Sequence, residues 1–506
     1  MLSKIWSAAT LGIDAVRIVI EVNAGHSHQP GFVLVGLPDA SVREAYARVT
    51  AALNNCGFFI PARFIVVNLS PADVRKEGSA FDLPIAIGIL HAAEFLGDEH
   101  VTGRVFAGEL SLDGTIAPMR GALSMSASVL NDPSVRELVV PAANANEAAA
   151  VAGVRVIGTR NLPELIAHLT GKSLIEPTIS NTPNARRNFP DFADVRGQQH
   201  AKRALEVAAA GGHNVLMIGP PGSGKTMLAH RLPSILPPLT TEEAIVTTQI
   251  HSVAGLLPPG SGLLTTRPFR APHHTISMMG LVGGSSIPRP GEVSLSHHGV
   301  LFLDELAEFR RETLEVMRQP MEDGRVTISR AARTITYPSR FTLAAALNPC
   351  PCGFFNDRRR ECLCTPAQIT RYLSKISGPL LDRIDLQVEV AALTTDEISS
   401  IEQGESSESI RIRVEAARRI QRERFNACNA EMTARQMRRF CELDASSKRL
   451  LVSAIDRLGL SARAHDRILK VARTIADLAG TERIDSAHVA EAVQYRALDR
   501  AYFRTG

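Results

Sequence analysis

The sequence predicts an α/β multidomain protein: an N-terminal α+β block, a central parallel-sheet block built around a phosphate loop, and a C-terminal all-α block. Three observations carry this expectation. Short β-type runs alternate with helical stretches over residues 1–170. Four apolar strand-like runs then accompany the stretch GPPGSGKT at 219–226. Beyond about residue 395 the periodicity is helical almost throughout, with few prolines or glycines.

The bulk numbers exclude several classes. Hydrophobic residues make up 45% and charged residues 21% of 506, an ordinary globular composition. The net charge of +4 does not demand an anionic partner, so any nucleic-acid argument must rest on local charge. No run of about eighteen consecutive apolar residues occurs, which argues against a membrane span. The start, MLSKIWSAATLGIDAVRIVIEV, carries Asp14 and Arg17 inside its apolar part and reads as a first strand or turn, not a signal peptide. Seven cysteines, an odd number in a long chain, suit a reducing cytoplasm.

Taken in order, the first block holds the strand candidates VRIVIEV, GFVLVGL, RFIVVNL, ELVVPA and VRVIGT. Its helical candidates are SVREAYARVTAALNNCG and DLPIAIGILHAAEFLG. A polar, proline-bearing stretch at 171–192 suits a linker. The central block, 193–394, offers NVLMIG (214–219), GVLFLD (299–304), FTLAAALN (341–348) and DLQVEV (385–390) as strands of a parallel sheet. Its active edge would lie at the strand C-termini. The last block, 395–506, reads as helices.

The chemistry starts at the loop. Gly219, Pro220, Pro221, Gly222, Ser223, Gly224, Lys225 and Thr226 satisfy GxxxxGK[ST], between an apolar strand and a helix. Its glycines let backbone N–H groups wrap the phosphates of ATP, Lys225 reaches the β/γ oxygens, and Thr226 offers a hydroxyl to Mg²⁺. In VLFLDEL, four apolar residues deliver Asp304 and Glu305 to a strand end. Asp304 would help hold Mg²⁺ and Glu305 would polarise the attacking water. Asn348 ends the next strand, where its amide could meet the γ-phosphate or the water; an Asn before Pro can also be a plain turn residue.

This order of motifs, followed by the arginine of GPLLDRID, resembles the AAA+ ATPases. The wording RPFRAPHHTIS, GGSSIPRPGEVSLSHHGVLFLDEL and NPCPCG is similar to their magnesium-chelatase-like branch, and closest to the bacterial ComM/YifB family. The likeness runs over essentially the whole chain. It implies a ring, usually a homo-hexamer, with ATP at subunit interfaces. It implies Arg383 as the arginine finger with Arg371 as runner-up, and Arg463 as the second sensor with Arg467 as the alternative. Residues 66–90 and 107–123 resemble the Lon-type protease domain. Ala80 falls at the nucleophilic serine and Leu123 at the lysine. Ser79 is one position away, but no lysine occurs between Lys76 and Lys172, so the Ser-Lys dyad is missing.

Lys225 and Asp304 are 79 positions apart (304 − 225), long for two parts of one site. The resemblance places a helix-2 insert in that gap, projecting towards the ring's pore. A second hairpin fits VTISRAARTITYP (326–338). Arg270, Met278, Arg330 and Arg333 are then candidates for DNA contact, with inter-subunit packing as the alternative. The adjacent pairs 273–274 and 297–298 do not suit a metal, because neighbouring histidines point in different directions. A basic stretch, 411–440, holds nine arginines against three glutamates and suits either a phosphate backbone or a solvated, ion-paired face. Cys350, Cys352, Cys362 and Cys364 form CxC–x₉–CxC, which could close a tetrahedral Zn²⁺ site or remain reduced thiols.

The reading that follows is an ATP-driven, ring-forming DNA translocase or helicase acting on recombination intermediates, single-stranded or branched. Its branch-migration task, and a link to natural transformation, are what the resemblance implies. Two alternatives stand beside it: a protein-remodelling ATPase and a metal-insertion motor of the magnesium-chelatase type. The first would normally want an aromatic pore residue, and the chain is only 5% aromatic.

Overall fold

A computed structural model describes residues 2–25, 31–59, 64–181, 189–284, 288–330, 333–357, 359–392, 404–498 and 502–503, apart from the side chains of Arg330 and Arg333. The chain forms two compact units. One comprises Met1–Ala185 with Thr240–Thr265, the other Arg186–Leu239 with Thr266–Gly506.

The first unit is built on a mixed seven-stranded sheet. Its strands are β1 (Leu2–Leu11), β2 (Asp14–Gly25), β3 (Gly31–Val35), β4 (Phe64–Ser70), β5 (Arg104–Phe106), β8 (Glu137–Pro141) and β9 (Val156–Thr159). A separate ribbon pairs β6 (Glu109–Leu110) with β7 (Ile116–Ala117). The sheet order is β3-β4-β2-β1-β5-β8-β9. The N-terminal stretch is a strand as the sequence suggests: β1 and β2 form an antiparallel hairpin closed at Leu11↔Asp14. Apart from Asp82 and His91 the helix Asp82–Ala92 is apolar, and every one of its residues is buried, as expected for an element without a solvent face.

The long gap between phosphate loop and acidic strand is partly explained here. Residues 240–265, inside the interval read from sequence as the central block, fold with the first unit. Helix Thr241–Ala254 begins with a capping box, in which Thr240 and Glu243 satisfy each other's backbone N–H. Such a cap contributes about 1 kcal/mol. At its other end Ser252 donates to the buried carboxylate of Glu147 and accepts the N–H of Gly121 at 2.9 Å. Gly260 donates to the Ala143 carbonyl at 2.7 Å.

The second unit has a five-stranded sheet in the order β11-β12-β15-β10-β16, with every pair parallel. These strands are β10 (Val215–Ile218), β11 (Phe269–Arg270), β12 (Val300–Leu303), β15 (Thr342–Leu347) and β16 (Leu386–Glu389). Continuous burial of β10, β12 and β15 reflects a sheet covered on both faces. Since β10 is flanked by a strand from each winding direction, the loop after it lies at a topological switch point. The expected hairpin is present as β13 (Arg325–Arg330) and β14 (Arg333–Pro338), in the register Arg330↔Arg333.

Helices complete the unit. Helix Gln199–Gly211 packs on the sheet, and Ser407–Phe425, Ala445–Leu458, Ala462–Leu478 and Ser486–Gln494 form the helical C-terminal region. In Ala462–Leu478, Ala464, Ile468, Val471, Ala472 and Ile475 make one apolar stripe at helical spacing, and all five are buried in the same core as β10. Truncating Ile468 to alanine would cost about 2–5 kcal/mol. Among the described residues, no helix is long and apolar enough to cross a membrane.

Candidate nucleotide site and cysteine centre

The parallel sheet brings three distant stretches to one edge. Gly219, Asp304 and Asn348 each follow directly on a strand, β10, β12 and β15 respectively. Gly219 has no room for a side chain: a Cβ there would lie 2.1 Å from the Val390 carbonyl oxygen. The loop 219–224 then turns into helix Lys225–Arg231 through Gly224, whose φ of +93° suits glycine. Gln198 braces the loop from outside, donating to the Ser223 carbonyl at 3.3 Å and to Ala391 at 2.6 Å.

Within that edge the side chains converge. Lys225 Nζ donates to the carbonyls of Gly219 (2.7 Å) and Pro220 (2.8 Å) and to Asn348 Oδ1 (3.2 Å). Thr226 Oγ1 donates to Asp304 Oδ2 at 2.7 Å, so the hydroxyl and carboxylate expected to share Mg²⁺ are adjacent. Burial pulls the Lys225 ammonium down to about 8, against the opposing pull of Asp304 and Glu305.

Glu305 sits at φ +51°, in the left-handed region. For a non-glycine residue that conformation costs on the order of 1–3 kcal/mol, and such strain collects at functional sites. Its carboxylate meets His274 Nδ1 at 3.4 Å. From sequence alone His274 is only half of a histidine pair unsuited to a metal. The signal that could have found it was its position shortly after the short strand β11, at the same sheet edge as Asp304.

The arginines fall elsewhere. Asn214 directly precedes β10, and its side chain donates to the Arg383 carbonyl at 3.0 Å. Its backbone N–H donates to Asp385 at 3.0 Å. Arg383 and Asp385 therefore stand at the N-terminal end of the sheet, about 13 Å from the phosphate loop at about 3.3 Å per strand residue. Arg383 is buried, paired with Glu322 and donating to the Pro379 carbonyl at 2.6 Å. Arg467 pairs with Asp385. Burial pushes Asp385 up, but Arg467, His213 and the Asn214 N–H more than offset this and hold the carboxyl well below the usual range. Arg463 and Arg371 are exposed.

Of the DNA-contact candidates, Arg270 is held by a bidentate pair with Glu292 at 2.6 and 2.7 Å, so its charge is already neutralised. Met278 is half exposed at the start of helix Met278–Val282, which Ser277 caps. The backbones of Arg330 and Arg333 close the tip of the hairpin, but their side chains lie outside the described residues. The hairpin's inner face, Val326, Ile328, Ile335 and Tyr337, is buried, and the Tyr337 hydroxyl donates to the Pro288 carbonyl at 3.0 Å. The basic stretch is paired in part. Arg413 binds Glu206 and Glu405, Arg424 binds Asp477, and Arg411 binds Glu408. Arg418 is buried against the Ala209 carbonyl. Arg419, Arg435, Arg438 and Arg439 reach solvent.

The four clustered cysteines do come together. The Sγ atoms of Cys350, Cys352, Cys362 and Cys364 all lie within 4.8 Å of one another. The measured separations of 3.3, 3.7 and 3.6 Å are close to the roughly 3.8 Å edge of a tetrahedron with Zn–S near 2.3 Å. Backbone N–H groups of Phe355 and Cys352 point at the Cys350 and Cys364 sulfurs (3.3 and 3.4 Å). The donor set fits zinc.

In the first unit the residues that fall at the Lon-type dyad positions make other contacts. Leu123 is fully buried, and its backbone N–H donates to Glu147 at 3.0 Å. Ala80 has no nucleophile, and the neighbouring Ser79 hydroxyl donates to Glu109 rather than to an amine. Arg48 locks Asp82 in a bidentate pair at 2.7 and 2.9 Å.

Known proteins place this architecture. Over 507 aligned residues, 99% of the chain and 98% of its relative, it is 45% identical to Competence protein ComM of Haemophilus influenzae. The chain belongs to the ComM/YifB family. It is likewise 43% identical over 500 residues to the protein YifB of Escherichia coli, covering 99% of this chain and 98% of that one. Family models for the magnesium chelatase subunit ChlI match residues 20–144 and 191–398, and one for its C-terminal part matches 404–496. The Lon-like character of the first unit has a counterpart too. Lon protease 2 of Bacillus subtilis is 29% identical over 153 residues, 28% of this chain and 26% of that protein. The ComM/YifB chain thus falls in the magnesium-chelatase-like AAA+ family and carries a Lon-like N-terminal region.

Proposed function

We propose that the chain hydrolyses ATP at the 219–226 loop and uses it, as a homo-oligomeric ring in the cytoplasm, to drive DNA strands through recombination intermediates. The observation that carries the hydrolytic half is the convergence of Lys225, Thr226, Asp304, Glu305 and Asn348 on one sheet edge. The DNA half rests on the full-length likeness to a competence protein.

In this reading Lys225 exchanges its carbonyl partners for the β- and γ-oxygens of ATP, and Asn348 keeps its ammonium in line. Thr226 and Asp304 would hold Mg²⁺, which supplies charge neutralisation on the phosphate oxygens. Glu305 orients the attacking water and takes its proton. His274 acts as a positioning residue, restraining the Glu305 carboxylate until substrate arrives. Arg383 lies too far along β10 to serve its own nucleotide, which suits a role at a neighbour's site. That role requires it to leave Glu322, whereas Arg371 and Arg463 already face outwards.

The family models named for magnesium chelatase favour one second reading, a metal-insertion motor. A gel assay separates the two. Purified protein with ATP is added to labelled three- and four-stranded DNA junctions, beside Glu305→Gln protein. Junction resolution that needs ATP and an intact Glu305 is the expected result. No strand movement on any junction, with ATP turnover intact, would count against the DNA motor.

A further inference from the structure

The cysteine centre is built into the nucleotide site. Its first ligand, Cys350, is two residues beyond Asn348, whose amide oxygen accepts from Lys225 at 3.2 Å. Its next turn lies on the phosphate loop itself. Gly353, at φ +86°, brings its backbone so close to Pro221 that a Cβ would stand 2.5 Å from Pro221 Cδ. That turn is held to the sulfur cluster, since the Gly353 N–H donates to the Cys350 carbonyl at 2.9 Å and the Phe355 N–H to the Cys350 sulfur. One rigid knot of four ligands is therefore tied at one end to the asparagine and pressed at the other against the loop that wraps the phosphates.

We propose that Cys350, Cys352, Cys362 and Cys364 bind one zinc ion that acts as a positioning clamp for ATP hydrolysis, fixing Asn348 and the Pro221 side of the phosphate loop together. Four thiolates around Zn²⁺ fix their loop far more firmly than four reduced thiols, because the metal–ligand bonds replace weak S–H contacts. A catalytic group displaced by about 1 Å can lose about a hundredfold in rate, so loosening this knot should reach the chemistry. The inference rests on the ATP-site reading above but not on DNA being the substrate.

The test uses the full-length protein purified under reducing conditions. Metal analysis should give about one zinc per chain, and the Cys362→Ser/Cys364→Ser double variant should hold little. Hydrogen exchange would then be followed in peptides covering 214–226 and 342–352, with fluorescent ATP-analogue binding and turnover measured in parallel. We expect faster exchange in both peptides on zinc loss, unchanged exchange in β1 and β2, and turnover about tenfold lower or worse. A second variant, Gly353→Ala, keeps all four thiols. It should retain its zinc yet lose analogue affinity, because the added Cβ presses on Pro221 and shows that this turn bears on the phosphate loop. Less than about 0.2 zinc per wild-type chain would overturn the proposal. So would unchanged exchange and analogue binding in both variants. Because exchange and binding do not depend on turnover, an inactive ATPase would be distinguishable from a failed clamp.

Discussion

The two units place similar materials, strands and a buried helix, around sites of opposite character. In the second unit, a lysine, a hydroxyl, two carboxylates and an amide meet at the open edge of a parallel sheet. In the first, the positions that resemble the Lon dyad hold Ala80 and Leu123. The polar groups nearby are spent on one another, Arg48 on Asp82 and Ser79 on Glu109. The contrast teaches that fold and chemistry are separable: packing keeps a scaffold, whereas a site depends on the reacting groups that a sheet edge presents.

The sharpest way to break this comparison is Glu305→Gln. Removing a general base should lower the turnover number by about 10²–10⁴-fold while analogue affinity stays within a few-fold. Steady-state kinetics with parallel binding would read it, and a fall in affinity with unchanged turnover number would make Glu305 a binding residue instead.

A smaller effect comes from pH. Folding depresses Lys225 to about 8, so its ammonium, which phosphate needs, is lost as pH rises through that value. Affinity for an ATP analogue should therefore be flat below about pH 7.5 and weaken by about tenfold per unit above 8, with proton uptake on binding. Calorimetry in buffers of different ionisation enthalpy measures that uptake. Flat affinity up to pH 9.5 would show that Lys225 is not perturbed.

His274→Ala sharpens the picture further. Losing a partly exposed partner of Glu305 should change turnover by about two- to fivefold, the scale of one exposed polar contact, without touching affinity. The smallest effect tests the silent unit. Ser79→Ala removes one hydrogen bond worth about 1 kcal/mol and should leave ATP turnover within twofold. Loss of a peptidase activity in that variant would contradict the reading of the first unit as a scaffold.

Much of this was legible in the sequence wherever the signal is local. The apolar runs became β10, β12 and β15 because continuous burial demands continuous apolarity, and the phosphate loop is a contiguous motif. What was not legible depends on partners brought together by the fold. The capping box at Thr240 announces a helix, but nothing local says that Ser252 will meet Glu147 in the first unit. A surplus of arginines in 411–440 can be counted, yet Arg413, Arg418 and Arg424 are committed to Glu206, Ala209 and Asp477 from remote segments. His274 and the seat of Gly353 on Pro221 are further cases: both contacts exist only once parallel strands align their ends.

A nucleotide engine coupled to DNA is tested most directly by ATP turnover of the purified protein, alone and with single-stranded, duplex and branched DNA, with Glu305→Gln protein as control. The expected result is Glu305-dependent turnover stimulated by DNA, most by branched forms, with the stimulation falling as salt screens phosphate contacts. Normal basal turnover that no DNA changes at any salt concentration would contradict it.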